Sequence, residues 1–283
     1  MNGAQTTGSI GNLAERPDDE LRIPIRFFKT DDEDMVLQII RYNNSQNKVE
    51  ASDFRSTDKV QRRLKGEFAQ IDGYDYEGGR RGGVTNAIKR RPNLVPSYTI
   101  GQALTAFHGS PLRAYNEKSA IWSDNSAYQN VFHDGLTAEH MIFVFTLFQK
   151  IADIKASLRG KSDEELTDKQ KAIAHLLAKK GSHFYLLYVV SRCMGSILDR
   201  PVPSKFDLRF KSQSGQKAES WAGVLEVILS FSPTMSSPLE AGIKGAGASI
   251  PSSGEQVRQL IDATRSSNQK TFERFAKKVA VEN

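Results

Sequence analysis

The sequence predicts an α+β, mostly helical protein: a small α/β segment at the N-terminal end, then an α-helical domain. Three observations predict it. Strand-like alternation of branched and aromatic residues comes early, at Leu21-Arg22-Ile23-Pro24-Ile25-Arg26-Phe27-Phe28. From about Thr137 onward, apolar residues recur at helical spacing in segment after segment. Between the two lies a basic, Gly-rich stretch, so the expected divisions are 1–70, 71–96 and 97–283.

Pro24 places the first strand at an edge or its own start. Thr30 follows as an expected N-cap, with Glu33 completing a capping box and Asp31 to Asp34 favouring the helix dipole. Val36, Ile39 and Ile40 supply the apolar stripe, and the helix is expected to end near Tyr42 or Asn43. A second helix begins near Thr57 or Asp58 and carries Val60, Leu64 and Phe68 at four-residue spacing. Its other face carries Lys59, Arg62, Arg63 and Lys65. Residues 72–93 read as a loop, rich in Gly, Arg and Tyr. Further helices are expected at 97–108, from Met141 to about Leu158, at 167–179, at 182–198 and from Trp221 to Phe231. Gly, Ser and Pro mark 232–253 as a flexible connection, and Gln256 to Ala280 as one amphipathic basic helix.

The chain has 283 residues, enough for a substantial core. No apolar run reaches the roughly 18 residues of a membrane span. The start lacks a basic n-region and an apolar h-region, so no signal peptide is expected. A single cysteine, Cys193, and five histidines exclude a disulfide framework and any Cys-rich zinc module. Cys193 sits in an apolar run and reads as an inert core residue. These features point to a reducing, cytoplasmic setting.

Net charge is +6 with a pI near 9.3. Between Arg55 and Arg91 stand ten Lys or Arg against five Asp or Glu, so most of the excess is local. That pattern suits a polyanion, and equally a solvated basic surface. Tyr74 and Tyr76 beside these cations suit a sequence-tolerant nucleic-acid groove.

Two amide-rich blocks stand out, Asn2-Gly3-Ala4-Gln5-Thr6 and Asn43-Asn44-Ser45-Gln46-Asn47, separated by the strand–helix unit from Ile23 to Tyr42. Downstream come Pro111-Leu112-Arg113-Ala114, Ile121-Trp122 and Tyr128-Gln129-Asn130-Val131-Phe132. Together these blocks resemble the AIPR family, named for abortive infection phage resistance. The resemblance covers residues 1–135 and the helical remainder loosely. It implies anti-phage defence by abortive infection. A fainter likeness is to ParB-type nucleotide-binding domains and DGQHR proteins, which share the order of Gly-polar motif, strand and helix ending in Asn-x-Gln. It implies a ParB-like α/β segment over 1–70. The ParB motif grips phosphates with basic residues, and Gly3-Ala4-Gln5-Thr6 has none. In the AIPR pattern the first motif follows an apolar strand, whereas here it begins at Met1. The chain therefore reads as a C-terminal part of a longer architecture.

The expected ligand-binding residues are Asn2, Gly3, Gln5, Thr6, Asn43, Asn44, Gln46 and Asn47. Their amides and hydroxyls orient a base, sugar or backbone but do not titrate. Asn44 and Gln46 serve equally well as partners of a frayed helix end. Arg62, Arg63, Lys65, Arg80, Arg81, Lys89, Arg90 and Arg91 are expected at phosphates. The partners so implied are DNA, RNA or a nucleotide, with partner proteins or a homo-oligomer as further options and no membrane.

Two other functions compete. A metal-dependent nuclease or nucleotidase would use Asp53, or the Asp75/Glu77 loop with magnesium; a helix N-cap is the alternative for Asp53. A protein-interaction scaffold would dock partners on helices 138–198. His133 and His140 lie seven apart, but Gly135 breaks the helix needed for a metal pair. No metal site and no cofactor are expected.

Overall fold

A computed structural model describes Thr30, Asp32, Met35 and residues 51–78, 93–212, 217–247 and 249–281. The chain divides into two units, Met1–Glu50 and Ala51–Asn283.

In the first unit the Thr30 hydroxyl accepts a hydrogen bond from the Asp32 N–H, and the Asp32 carboxylate accepts one from the Met35 N–H. Both Thr30 and Asp32 thus bond backbone N–H groups ahead of or at Met35, as capping side chains do; the rest of the expected helix lies outside the described residues. The expected strand at 21–28, the helix end near Tyr42 and most of the ParB-like segment lie outside the described residues.

The second unit is mostly helical. Its elements are α1 (Lys59–Phe68), β1 (Asp75–Tyr76), β2 (Leu94–Val95), α2 (Ser97–Phe107), α3 (Pro111–Asn116), α4 (Ala120–Ser123), α5 (Asn125–Val131), α6 (Ala138–Leu158), α7 (Asp168–Ala178), α8 (Ser182–Leu198), β3 (Leu208–Phe210), α9 (Ala222–Leu229), α10 (Ser232–Ser236), α11 (Ser249–Ala263), α12 (Gln269–Ala276) and β4 (Val279–Val281). The expected boundary at residue 70 falls inside this unit, because α1 packs on α6 and β1.

Helix α8 is the hub. Tyr185, Leu186, Leu187, Val189, Val190, Cys193, Met194 and Ile197 are buried on almost every side, as expected of a helix apolar all round. It packs against α2, α3, α6, α7, α11 and α12. Helix α6 is apolar from Met141 to Leu147 and fully packed there, and its second half emerges towards solvent. Thr137 caps it, accepting from the His140 N–H.

Two small sheets complete the unit. β1 and β2 pair in parallel, Asp75 opposite Leu94. β3 and β4 pair antiparallel, Leu208 opposite Val281. Both were missed from sequence, since each strand is only two or three residues long and is defined by a distant partner.

The expected flexible connection at 232–253 is instead packed structure. Met235, Leu239 and Ile243 are fully buried, and Pro233 and Pro238 sit in first turns, where a missing N–H costs nothing. Gly181, at φ +82°, starts α8 where a Cβ would strike Ile243. The single C-terminal helix is also corrected: it breaks at Ser266–Asn268 into α11 and α12, and β4 follows.

Candidate nucleic-acid interface

Helix α1 begins after an extended Asp58 and buries Leu64 and Phe68. A third inward residue is polar. Gln61 is fully buried, accepting from the Tyr76 hydroxyl at 2.7 Å and donating to the Tyr128 hydroxyl at 3.0 Å. With both ends of its amide satisfied, Gln61 fixes the rotation of α1 about its axis.

That rotation sorts the basic residues. Arg63 is turned inward: it pairs with Glu67 and donates to the carbonyls of Leu136 at 2.8 Å and His133 at 3.4 Å. Glu67 in turn accepts from the Ala138 N–H at 2.8 Å, at the positive end of α6. Arg55 is likewise committed. It donates to the Trp122 carbonyl and Asn125, and lies 4.4 Å over the Tyr128 ring. Lys59, Arg62 and Lys65 remain exposed and make no ion pair. They recur at three-residue spacing on one side of α1. The stem of Lys65 lies across Gly78, whose φ is +68° and whose Cβ would fall 2.4 Å from Lys65 Cδ.

Of the phosphate-contact residues expected from sequence, Arg62 and Lys65 are thus free on the surface. Arg63 is held by protein groups, because its partner Glu67 stands one helical turn away. Arg80, Arg81, Lys89, Arg90 and Arg91 lie outside the described residues, as do Asn2, Gly3, Gln5, Thr6, Asn43, Asn44, Gln46 and Asn47. β1 and β2 pair in parallel, so Asn93 enters the pair at one end and Gly78 leaves it at the other, and β1 packs against α1.

The carboxylates weighed for catalysis hold structural positions. Asp53 opens a one-turn 3-10 helix, Asp53–Arg55, with Ser52 rather than Asp53 at the cap position. The Asp75 carboxylate accepts from the Tyr76 N–H. Glu77 accepts from the Ser97 N–H at 2.9 Å, doing for α2 what the capping residue Pro96 cannot. Among the described residues no three His, Cys, Asp or Glu side chains cluster in a way that could hold a metal ion.

Sequence reasoning missed two features. The first is a cleft of about 850 Å³ among the described residues, between Asp72–Tyr74, the start of α2, the middle of α6 and residues 217–219. Lys217 lines it at 7% exposure, its ammonium 5.2 Å from the centre of the Tyr74 ring and outside ion-pair distance of any carboxylate among the described residues. Burial lowers the pKa of this ammonium, and Glu139 partly restores it. Gln149, Thr99 and Asn93 face the cleft with uncommitted side chains. Asp72 and Asp153 are exposed, unpaired carboxylates at its rim, while Glu219 is held by Lys150. The signal in the sequence was slight: a lone lysine just before an apolar helix.

The second is a histidine pair. His140 is fully buried in the first turn of α6, where Nδ1–H donates to the Leu208 carbonyl at 2.8 Å. A carbonyl only accepts, so Nε2 of the neutral ring is an acceptor, filled by His108 Nε2–H at 3.0 Å. His108 stacks on Phe206 at 3.6 Å, and His133 meets that ring edge-on at 4.2 Å. Burial lowers His140 to about 4 and His108 to about 2, their proximity adding to the fall in His108. The partner of His140 is thus His108, a helix away, and not His133.

No helix among the described residues is long and apolar enough to cross a membrane. A family model described as AIPR protein matches residues 1–207. No curated protein and no solved structure matches the chain.

Proposed function

The chain belongs to the AIPR family, whose name denotes abortive infection phage resistance, and on that premise we propose that it serves phage defence by holding a nucleic acid or nucleotide. One observation carries the reading: Lys59, Arg62 and Lys65 form an unpaired cationic ridge on a helix whose rotation is locked by buried hydrogen bonds. Cations not neutralised by the protein release counterions when they meet phosphates, and that release drives sequence-tolerant binding. The basic segment 80–91 adjoins this ridge in sequence and belongs to the same proposal. The amides of Asn2, Gln5, Asn44 and Gln46 would contribute orientation and selectivity.

Fluorescence anisotropy of the full chain with single-stranded DNA, duplex DNA and RNA, across salt and with or without magnesium, tests it. Affinity should fall steeply with salt and require no metal. Replacing Lys59, Arg62 and Lys65 together by Ser should reduce the slope of log K against log salt by about two to three, at about 0.7 to 0.9 per phosphate contact. Salt-insensitive binding, or an unchanged slope in the triple variant, would refute the reading.

A further inference from the structure

Lys217 poses a question that the cationic ridge does not answer. A lysine is seldom this buried without a close ion pair, and a cation–π contact with Tyr74 together with the more distant Glu139 charge is weak recompense for lost hydration. Its charge faces a cleft large enough for a small molecule, with a few polar groups converging on mixed apolar walls. An acceptor atom from outside the chain would complete it.

The rest of the lining narrows the chemistry. Asp72 and Asp153 carry unpaired negative charge at the rim, which opposes entry of a phosphate. Phe145 and Phe148 supply aromatic wall, which suits a planar group. Gln149 offers both donors and an acceptor. The occupant is therefore neutral, flat, and bears acceptors on one edge and N–H donors on another. Guanine meets this description best among the bases: O6 and N7 accept from a cation, and its N1–H and N2–H₂ donate to a carboxylate.

We propose that the cleft between the Asp72–Tyr74 turn and α6 is a nucleobase pocket with a preference for guanine, Lys217 donating to the acceptor edge and Asp72 or Asp153 accepting from the N–H edge. The inference rests on the nucleic-acid reading above and deepens it by naming the base that the site would take. The base has two sources, a free nucleoside or nucleotide and a residue of a single strand.

Isothermal titration calorimetry of the full chain distinguishes them, using guanosine, guanosine monophosphate, adenosine and a guanine-containing single strand as probes. Guanosine should bind saturably and adenosine more weakly. The Lys217→Met variant keeps the buried stem but loses the donor. It should weaken guanosine binding by about tenfold or more, as expected for one charge-assisted hydrogen bond. Where that variant loses its cooperative melting transition, Gln149→Leu, on the partly exposed flank of α6, gives the same reading. Equal binding of nucleoside and monophosphate would support a base-only pocket. A strand that binds tighter, and loses that excess in the triple Ser variant of α1, would identify the strand as the source. Absence of saturable binding by millimolar guanosine, or wild-type affinity in both pocket variants, overturns the inference. Salt-dependent strand binding that survives this failure leaves the interface standing, whereas loss of strand binding with guanosine affinity intact sinks only the interface.

Discussion

Acidification should release the neutral histidine pair that seats β3 on α6. The ordinary histidine value is 6.5; in the folded chain His140 falls to about 4 and His108 to about 2, in both cases chiefly because burial penalises the imidazolium. The sign follows from linkage. A group whose pKa is lower folded than unfolded contributes its full stability above the unfolded value and loses it as pH falls towards the folded one. For His140 the window runs from 6.5 down to about 4. At about pH 5 the unfolded imidazole takes up a proton that the folded one refuses, which costs about 2 kcal/mol at about 1.4 kcal/mol per pH unit, or about 4 kcal/mol for both rings. Urea unfolding followed by circular dichroism, near pH 7.5 and about pH 5, measures the difference. The His140→Gln variant isolates it: the amide still donates to Leu208 but does not titrate. It should lose about 1 kcal/mol near neutrality for imperfect geometry, yet show a pH-dependent loss smaller than wild type by about 2 kcal/mol. An unchanged pH dependence in that variant would refute the assigned tautomers and the buried neutral pair together.

Neighbouring arginines should separate by assay. Arg63→Ala and Glu67→Ala should each lower stability by about 1 to 2 kcal/mol in thermal unfolding, through loss of the bonds to Leu136 and to the N-terminus of α6. Arg62→Ala should leave the melting temperature within a degree or so and lower the salt slope of strand binding by about one. Cys193 is fully buried, and burial pushes its thiol up to about 12, so it should resist an aromatic disulfide reagent in the native chain and react fully in denaturant; rapid native labelling would contradict the packing of α8.

Helices were legible where the information is local. The repeats at Val60, Leu64 and Phe68, and the run from Met141 to Leu147, each specify a face without reference to the rest of the chain. Pairings were not. Nothing near Leu208 names Val281 as its partner, and β1 and β2 hold only two residues each. The stretch after Phe231 misled through composition. Its Ser, Pro and Gly resemble a linker, yet Met235, Leu239 and Ile243 repeat every four residues, and that period was the better guide.

The candidate interface shows the same division in its charges. Counting Lys and Arg between 55 and 91 found the basic region but treated its members as equivalent. They separate according to what stands one helical turn further on. Arg63 has Glu67 there and is drawn into the fold; Arg62 has Gly66 and Lys65 has Ala69, so neither finds an internal anion. Spacing on the helix therefore held the distinction between a cation that fastens two helices and one that remains for a ligand. What spacing could not supply was the buried amide of Gln61, whose bonds to Tyr76 and Tyr128 decide which way each of those side chains points. The proposed binding at this surface would thus depend on a residue that touches no ligand, because turning α1 by one residue would bury Arg62 and expose Arg63.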